Sequence, residues 1–174
     1  MIEVRHTSGL GLAELAAARA LLFAVFDDMT DADWEHALGG LHALAWDGPD
    51  LVGHASVVQR RLLHGGRALR AGYVEAVGVR PGRQRQGYGA AMMAELERVI
   101  GAAYDLGALG ATDEGAAFYR SRGWQPWRGP SSALTPDGIR PTPDDDGAIF
   151  VLPGAVPLNL DAPLTCDWRD GDVW

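Results

Sequence analysis

The segment QRQGYG, residues 84–89, combines exposed backbone at two glycines with side chains that carry charge or hydrogen-bond donors. It follows the apolar run YVEAVGV and precedes an alanine- and methionine-rich stretch typical of a helix. The first N–H groups of a helix have no partner within it and carry a partial positive charge. Glycines before such a helix let an anion approach the backbone. The segment therefore predicts a site for a pyrophosphate group.

Two other phosphate-binding loops fit this segment less well. A Rossmann loop usually follows the first strand of its fold and has an acidic residue about 20 positions later. Here the glycines come mid-chain, after several predicted strands. A P-loop requires a Gly-Lys-Ser/Thr run, which does not follow the glycines.

Glu75 lies in the middle of YVEAVGV, between apolar residues. On the pattern alone, two interpretations stay open. The carboxylate could face solvent in an alternating strand, or it could point into a cleft and accept a proton from a substrate. Gly78, inside the same strand, favours a bulge that frees backbone groups for a ligand.

Several aspartates could bind a cationic ligand. Asp28 and Asp33 lie at the start of a predicted helix, where the helix dipole by itself favours acidic side chains. Asp144 and Asp145 belong to a loop run of three aspartates, which could equally be a solvated face. The five histidines have no H-x-x-x-H spacing, so no metal site is predicted. Cys166, the only cysteine, is predicted to pack in the interior.

Length and composition limit the class of protein. The chain has 174 residues, of which 47% are hydrophobic, and this predicts a single globular domain over residues 1–174. The net charge of −8 argues against a nucleic-acid partner and permits a cationic one. No apolar run reaches the ~18 residues that a membrane span needs, and the start of the chain has no signal-peptide pattern. We expect a soluble cytoplasmic protein that has no membrane partner.

The elements that must position these residues alternate between strands and helices. A proline-rich segment, residues 129–147, is expected to be an ordered excursion. Together the patterns predict an α/β fold with a mixed, mostly antiparallel central sheet flanked by helices. Strands are predicted over IEVRHT, LHALAW, LVGHASVVQRRLL, ALRAGYVEAVGV, LGALGA, WQPWRG and AIFVLP. Helices are predicted over GLAELAAARALLFAVF, TDADWEHALGG, residues 87–104 and TDEGAAFYRSRG.

Two motifs resemble the GCN5-related N-acetyltransferases. The Q/R-x-x-G-x-G/A signature of that family matches Gln84, Arg85, Gln86, Gly87, Tyr88 and Gly89. In the family, this loop and the helix after it hold the pyrophosphate of acetyl-CoA, and the preceding strand pairs with the pantetheine arm. The later GAAFYRSRGW is similar to a second family signature, in which a tyrosine lies by the CoA sulfur. The resemblance implies the GCN5-related N-acetyltransferase fold and acetyl-CoA as co-substrate.

The chain also resembles the aminoglycoside 2'-N-acetyltransferases over nearly its whole length. The matching segments are DADWEHALGGLHAL, YVEAVGV, AYDLGALGA, FYRSRGWQPWRGPSSAL, TPDDDG and CDWRDGDVW. This resemblance implies acetylation of aminoglycoside antibiotics that bear a 2'-amino group, which confers resistance. It also implies a homodimer.

The resemblance implies roles for individual residues in a direct transfer. Glu75 would take a proton from the attacking ammonium through water, because an amine must be deprotonated before it attacks a thioester. Tyr119 would protonate the departing thiolate, although an aromatic pair such as Phe118 and Tyr119 could simply be core packing. The backbone N–H groups of Val77, Gly78 and Val79 would hold the thioester carbonyl.

The resemblance also implies a set of substrate contacts. The tail would fold back so that its terminal carboxylate faces the ammonium groups of the drug. Two rival functions remain: acetylation of another amino sugar, such as a cell-wall precursor, and a non-catalytic binder of CoA or drug. The implied substrate residues are Asp28, Asp33, Glu75, Ala76, Gly110, Glu114, Gly115, Asp144, Asp145 and Trp174.

Overall fold

The structure, a computed structural model, describes residues 1–174. Ten strands and four α-helices follow one another along the chain. The helices are α1 Leu12–Val25, α2 Asp31–His36, α3 Tyr88–Ala103 and α4 Asp113–Ser121. The strands are β1 Ile2–His6, β2 Leu41–Asp47, β3 Asp50–His64, β4 Arg67–Val79, β5 Leu106–Gly110, β6 Gln125–Pro126, β7 Ser131–Thr135, β8 Gly138–Pro141, β9 Ile149–Pro153 and β10 Leu164–Cys166.

The strands form a mixed sheet with the order β6-β9-β5-β4-β3-β10-β7-β8, and β2 and β1 continue from β3. The parallel pairs are β4 with β5 and β7 with β10. The pairs β1–β2, β2–β3, β3–β10, β5–β9, β6–β9 and β7–β8 are antiparallel. The prediction of a mixed, mostly antiparallel sheet flanked by helices is confirmed. None of the helices combines the length and apolar character needed to cross a membrane.

Packing contacts divide the chain into two compact units. The first comprises Met1–Val58 and Val74–Val99. Its core forms where Leu21 and Leu22 of α1 meet Trp34 of α2 and Leu44 of β2. Thr30 caps α2 through a capping box, in which its hydroxyl accepts from the Asp33 N–H while the Asp33 carboxylate accepts from the Thr30 N–H.

The second unit comprises Gln59–Tyr73 and Ile100–Trp174. Here β5 lies between β4 and β9, and Trp124, Trp127 and Phe150 are fully buried around these strands. The excursion over residues 129–147 is ordered, as predicted, but it contains a β-hairpin, β7 and β8, that the sequence reading did not predict. Its prolines and its exposed second strand hide the alternation on which such a prediction depends.

Candidate active site

The loop before α3 has the backbone of an anion site. Arg85 and Gly87 have φ of 58° and 88°, whereas the residues between and beside them, Gln84, Gln86 and Tyr88, are not in the left-handed region. Alternation of this kind turns successive N–H groups toward a common point, as in the concave nests that bind phosphates. A Cβ added at Gly87 would meet no atom within 4 Å, so the space above the loop is open.

Side chains of the loop hold it in this conformation. The Gln84 Nε2 donates to the Val79 carbonyl at 3.3 Å, and the Gln86 Nε2 donates to the Gly82 carbonyl at 3.2 Å. The Ala91 N–H donates to the Gly87 carbonyl at 2.9 Å, which makes Gly87 the N-cap of α3. The N–H groups of the three residues before Ala91 therefore have no acceptor within the helix and can bind an anion.

The charges near the loop are not equivalent. Arg83 pairs with Asp47, with 2.6 Å between Nη1 and Oδ2, so its charge is largely neutralised within the protein. Arg85 is exposed on the loop. Its guanidinium is thus the better placed of the two to meet a phosphate from solvent.

The end of β4 contains a backbone irregularity beside Glu75. Ala76 has φ of 52°, which is rare for a residue with a side chain. Gly78, where the sequence favoured a bulge, does not itself have a left-handed φ. A Cβ at Gly78 would lie 3.1 Å from Leu22 Cδ2 of α1, so that glycine permits close packing of the helix on the strand. Glu75 itself is half-buried, and its carbonyl accepts from the Ser56 hydroxyl at 3.4 Å.

Asp28 and Asp33, also in the first unit, differ in availability. Asp28 is exposed in the turn before α2. Asp33 Oδ2 already accepts from the Thr30 N–H at 2.8 Å and from its hydroxyl at 2.7 Å. Only Asp33 Oδ1 takes no part in the helix cap, so capping accounts for most of the hydrogen bonding of this carboxylate.

In the second unit, the chain folds back and buries Trp174, which is 6% exposed. The indole Nε1 donates to Thr142 Oγ1 at 2.8 Å, and the Trp174 N–H donates to Asp172 Oδ1 at 3.1 Å. Arg169 Nη2 donates to the Trp174 carbonyl oxygen at 2.8 Å. These bonds fix the last residues in place.

A cavity of about 200 Å³ lies beside Trp174 and is lined by Gly110, Asp145 and Asp172, among others. The pKa of the Asp145 carboxyl is raised by burial, and then by the neighbouring charges of Asp172 and Asp144. A carboxylate whose neighbours are also negative gains free energy when a cation binds. The cavity therefore suits an ammonium group.

The residues at the start of α4 are arranged as a helix cap. Thr112 is the N-cap, and the Gly115 N–H donates to its hydroxyl at 3.2 Å. Glu114 is exposed in the first turn. Gly115 thus gives its N–H to the helix, and Glu114 has the freer polar group of the two.

Tyr119 and Cys166 are buried groups of the second unit. Tyr119 packs against Phe118 and Trp124 with ring centroids 5.3 Å and 6.2 Å away, and burial raises its pKa to about 12. Cys166 Sγ donates to the Val173 carbonyl at 3.3 Å. Burial raises the pKa of this thiol to about 11, so the thiolate required of a nucleophile is scarce at neutral pH.

The structure distributes the predicted residues over both units. Sequence reasoning missed Thr142, Arg169 and Asp172, although all three fall within the matching segments TPDDDG and CDWRDGDVW. The first unit contains Asp28, Asp33, Glu75, Ala76, Val77, Gly78, Val79 and the loop 84–89. The second contains Gly110, Glu114, Gly115, Tyr119, Asp144, Asp145 and Trp174.

Comparison with known proteins identifies the family. The profile of the acetyltransferase (GNAT) domain matches residues 10–127. A curated protein of Mycolicibacterium fortuitum, named aminoglycoside 2'-N-acetyltransferase, is 51% identical over 97% of this chain and 89% of its own length. The chain belongs to this acetyltransferase family.

Solved structures of GNAT proteins share the fold of this acetyltransferase. Escherichia coli ElaA matches 87% of this chain and 99% of its own with a TM-score of 0.58 and 20% identity. A GNAT family acetyltransferase from Brucella melitensis, solved in complex with acetyl-CoA, matches 72% of this chain and 83% of its own. Its TM-score is 0.53 and its identity 21%. GNAT acetyltransferases use acetyl-CoA.

The buried groups restrict the chemistry of the acetyltransferase. With a phenol pKa of about 12 and an ordinary thiol pKa of ~8.5, complete proton transfer from Tyr119 to a thiolate is uphill by about 5 kcal/mol. A hydrogen bond from the neutral phenol would stabilise the thiolate without that transfer. Because Cys166 is buried and protonated, the geometry favours direct attack by the acceptor amine over an acetylated cysteine.

We expect Gly87→Val to raise the KM for acetyl-CoA by about 10-fold or more, with a much smaller change in the KM for the acceptor. Valine would fill the open space over the nest and would resist the left-handed φ. Steady-state kinetics with each substrate varied would measure the effect. Gly65→Val is the matched control, because Gly65 also has left-handed φ and open surroundings but lies in the turn between β3 and β4. Equal acetyl-CoA KM values in the two variants would contradict the assignment of the loop.

Proposed function

We propose that this acetyltransferase transfers the acetyl group of acetyl-CoA directly to the 2'-amino group of aminoglycoside antibiotics. The observation that carries the proposal is the cavity beside Trp174, whose carboxylates Asp145 and Asp172 repel each other and are suited to a cation. Aminoglycosides carry several ammonium groups. The 51% identity to a protein named for this activity supports the same substrate class. Acetylation removes one positive charge from the drug, weakens its binding to anionic RNA and so confers resistance.

The reaction proceeds in a ternary complex. The nest at residues 84–89 binds the pyrophosphate, and the backbone N–H groups of residues 77–79 hold the thioester oxygen as it gains charge. Glu75 accepts a proton from the ammonium, through water, and the free amine attacks the carbonyl carbon. A C–N bond forms and the C–S bond breaks, while the Tyr119 phenol donates a hydrogen bond to the departing sulfur. The second proton of the attacking nitrogen passes to that sulfur, so that the products are the amide and the CoA thiol.

The acceptor is bound by carboxylate side chains together with groups of the backbone. Asp145 and Asp172 bind one ammonium group, and Trp174 borders the same cavity. We extend the substrate site to Asp28, Asp33, Ala76, Gly110, Glu114, Gly115 and Asp144. We further propose that residues 1–174 act as a single N-acetyltransferase domain, in the cytoplasm and as a homodimer.

The decisive experiment compares acceptors by mass spectrometry after incubation with acetyl-CoA. Tobramycin, which has a 2'-amino group, should gain one acetyl group rapidly. Amikacin, which has a 2'-hydroxyl group, should react far more slowly. An amino-sugar cell-wall precursor forms the third arm, because the same carboxylates would bind its ammonium. Faster turnover of that precursor than of tobramycin would replace the proposed substrate with the rival one, and binding of both ligands without transfer would indicate a non-catalytic binder.

Glu75→Gln should lower kcat by about 100-fold, since general base catalysis contributes about 10²–10⁴. The amide keeps the shape of the side chain but cannot accept a proton. Glu95→Gln, which loses only an ion pair with Arg98 on the surface of α3, is the control and should keep the wild-type kcat. The pH–rate profile is the second readout, and an acidic limb that persists unchanged in Glu75→Gln would assign Glu75 to the solvated face of the strand.

Asp145→Asn should raise the KM for tobramycin by about 10-fold or more, because a hydrogen bond to a charged group contributes about 1.5–3 kcal/mol. The KM for acetyl-CoA should stay near the wild-type value. The raised pKa of Asp145 adds a pH test. Below that pKa the carboxyl is neutral, so the wild-type KM for tobramycin should rise as the pH falls toward it, and the variant should lack this part of the rise.

The control for Asp145→Asn is Asp137→Asn, in the turn between β7 and β8. It removes the same charge from an exposed position of the same unit. If the two variants weaken tobramycin binding equally, the effect belongs to the net charge and not to the cavity.

A further inference from the structure

His42 and His54 are completely buried in the first unit, and neither takes part in the chemistry proposed above. His42 lies on β2 and His54 on β3, where their register partners are Ser56 and Leu44. They are therefore diagonal neighbours across the two strands. Because a buried polar group without a partner costs about 1–3 kcal/mol, the contacts of these imidazoles need an explanation.

The two rings are the middle members of a chain of hydrogen bonds that runs from the turn after β1 across the three strands β2, β3 and β4. Thr7, just after β1, has its Oγ1 2.7 Å from His42 Nε2. His42 Nδ1 lies 2.9 Å from His54 Nε2. His54 Nδ1 lies 3.0 Å from the carbonyl oxygen of Ala76 on β4. This chain of hydrogen bonds therefore ends at Ala76, the residue that follows Glu75.

The carbonyl acceptor at Ala76 determines where the protons of this hydrogen-bond chain lie. The Ala76 carbonyl can only accept, so His54 Nδ1 must carry a proton. Burial lowers the pKa of both histidines to about 4, so each ring is neutral and has one N–H. His54 Nε2 is then an acceptor, His42 Nδ1 donates to it, and His42 Nε2 accepts from the Thr7 hydroxyl. The Gly39 N–H in turn donates to Thr7 Oγ1 at 2.9 Å, so the hydroxyl is fixed as well.

The backbone at Ala76 requires support of this kind. A left-handed conformation costs an L-residue about 1–2 kcal/mol, so it persists only where the surroundings hold it. Ala76 has no cis peptide, and in a trans peptide the C=O and N–H groups point in opposite directions. The bond that draws the Ala76 carbonyl to His54 therefore directs the Val77 N–H away from the His54 ring. The ladder of β4 with β5 comprises Ala71, Gly72 and Tyr73 and ends before Glu75, so it does not extend to Val77.

We propose that His54 is a positioning residue, which holds Ala76 in its left-handed conformation and thereby aims the Val77 N–H at the thioester oxygen. His42 and Thr7 fix the tautomer of His54 from behind. This inference rests on the proposed role of β4 in binding acetyl-CoA. This positioning role differs from core packing, because it depends on the Nδ1–H group of His54 and not on the volume of the imidazole ring.

Matched variants separate these two roles. His54→Leu removes the donor, and kcat should fall at least about 10-fold, since complete loss of an oxyanion donor costs about 10²–10³. The KM for acetyl-CoA should change less than about 3-fold, because the loop at residues 84–89 is untouched. In His54→Asn the amide nitrogen occupies nearly the position of Nδ1 and can donate to Ala76, so most of kcat should return.

A double variant tests the backbone directly. Glycine adopts positive φ without the steric cost of a Cβ. His54→Leu combined with Ala76→Gly should therefore regain a large part of the kcat that His54→Leu loses, when compared with Ala76→Gly alone. If glycine restores nothing, or if His54→Asn is as slow as His54→Leu, the ring acts through packing and the proposal is overturned. Wild-type kcat in His54→Leu would overturn it as well.

Ring nitrogen shifts in the wild-type protein give a test that needs neither turnover nor a folded variant. NMR of protein with ¹⁵N-labelled histidine should show Nδ1 protonated and Nε2 bare in both buried rings at pH 7. A protonated Nε2 on His54 would break the chain and overturn the inference. Failure of the wild-type enzyme to acetylate tobramycin would instead count against the proposed substrate, since any accepted amine suffices to compare kcat among the variants.

Discussion

A β-strand can bind a ligand through its backbone only where no neighbouring strand uses the same groups. In this protein the constraint falls on β4, whose ladder with β5 ends at Tyr73 and whose backbone turns left-handed at Ala76. The residues that follow, up to Val79, lead into the loop and the N-terminus of α3. Strand end, nest and helix start are therefore consecutive in the sequence, and all three offer N–H groups to an anionic, extended ligand.

The electrostatics of the protein match two substrates of opposite charge. The nest presents N–H groups and the exposed Arg85 to a pyrophosphate. The cavity beside Trp174 presents carboxylates, and the pKa of Asp145 is raised by burial first and then by the charges of Asp172 and Asp144. With a net charge of −8, the protein would also attract a polycation from solution. The presence of both a nest of N–H groups and a cavity of carboxylates fits an acyl transfer from an anionic donor to a cationic acceptor.

The candidate catalytic groups are ordinary side chains in unusual surroundings. Burial keeps Tyr119 a neutral hydrogen-bond donor. Burial also keeps Cys166 a thiol, which favours a reaction without an acetylated cysteine. Burial also keeps His42 and His54 neutral, which makes a chain of fixed tautomers possible. Desolvation is thus the common cause of these neutral states, and the role of each group depends on its hydrogen-bond partners.

The sequence by itself determined the fold class and most of the elements, because these depend on local signals. The two glycines of QRQGYG, the capping box of α2, and Gly123, which follows the end of α4 with a left-handed φ of 89°, are all readable within a few residues. The family resemblance was readable for the same reason, since its motifs are short and ordered along the chain.

Only the tertiary structure decided how distant residues meet. The hairpin β7–β8 and the three-residue strand β10 lack a clear alternation, and β10 is held by pairing with β3 and β7. The left-handed backbone at Ala76 could not be predicted, because alanine has no preference for it and the supporting hydrogen bond comes from His54, 22 residues earlier. His42 and His54 form no motif in the sequence, since their spacing is set by strand register. Contacts across strands follow from packing, which no local pattern records.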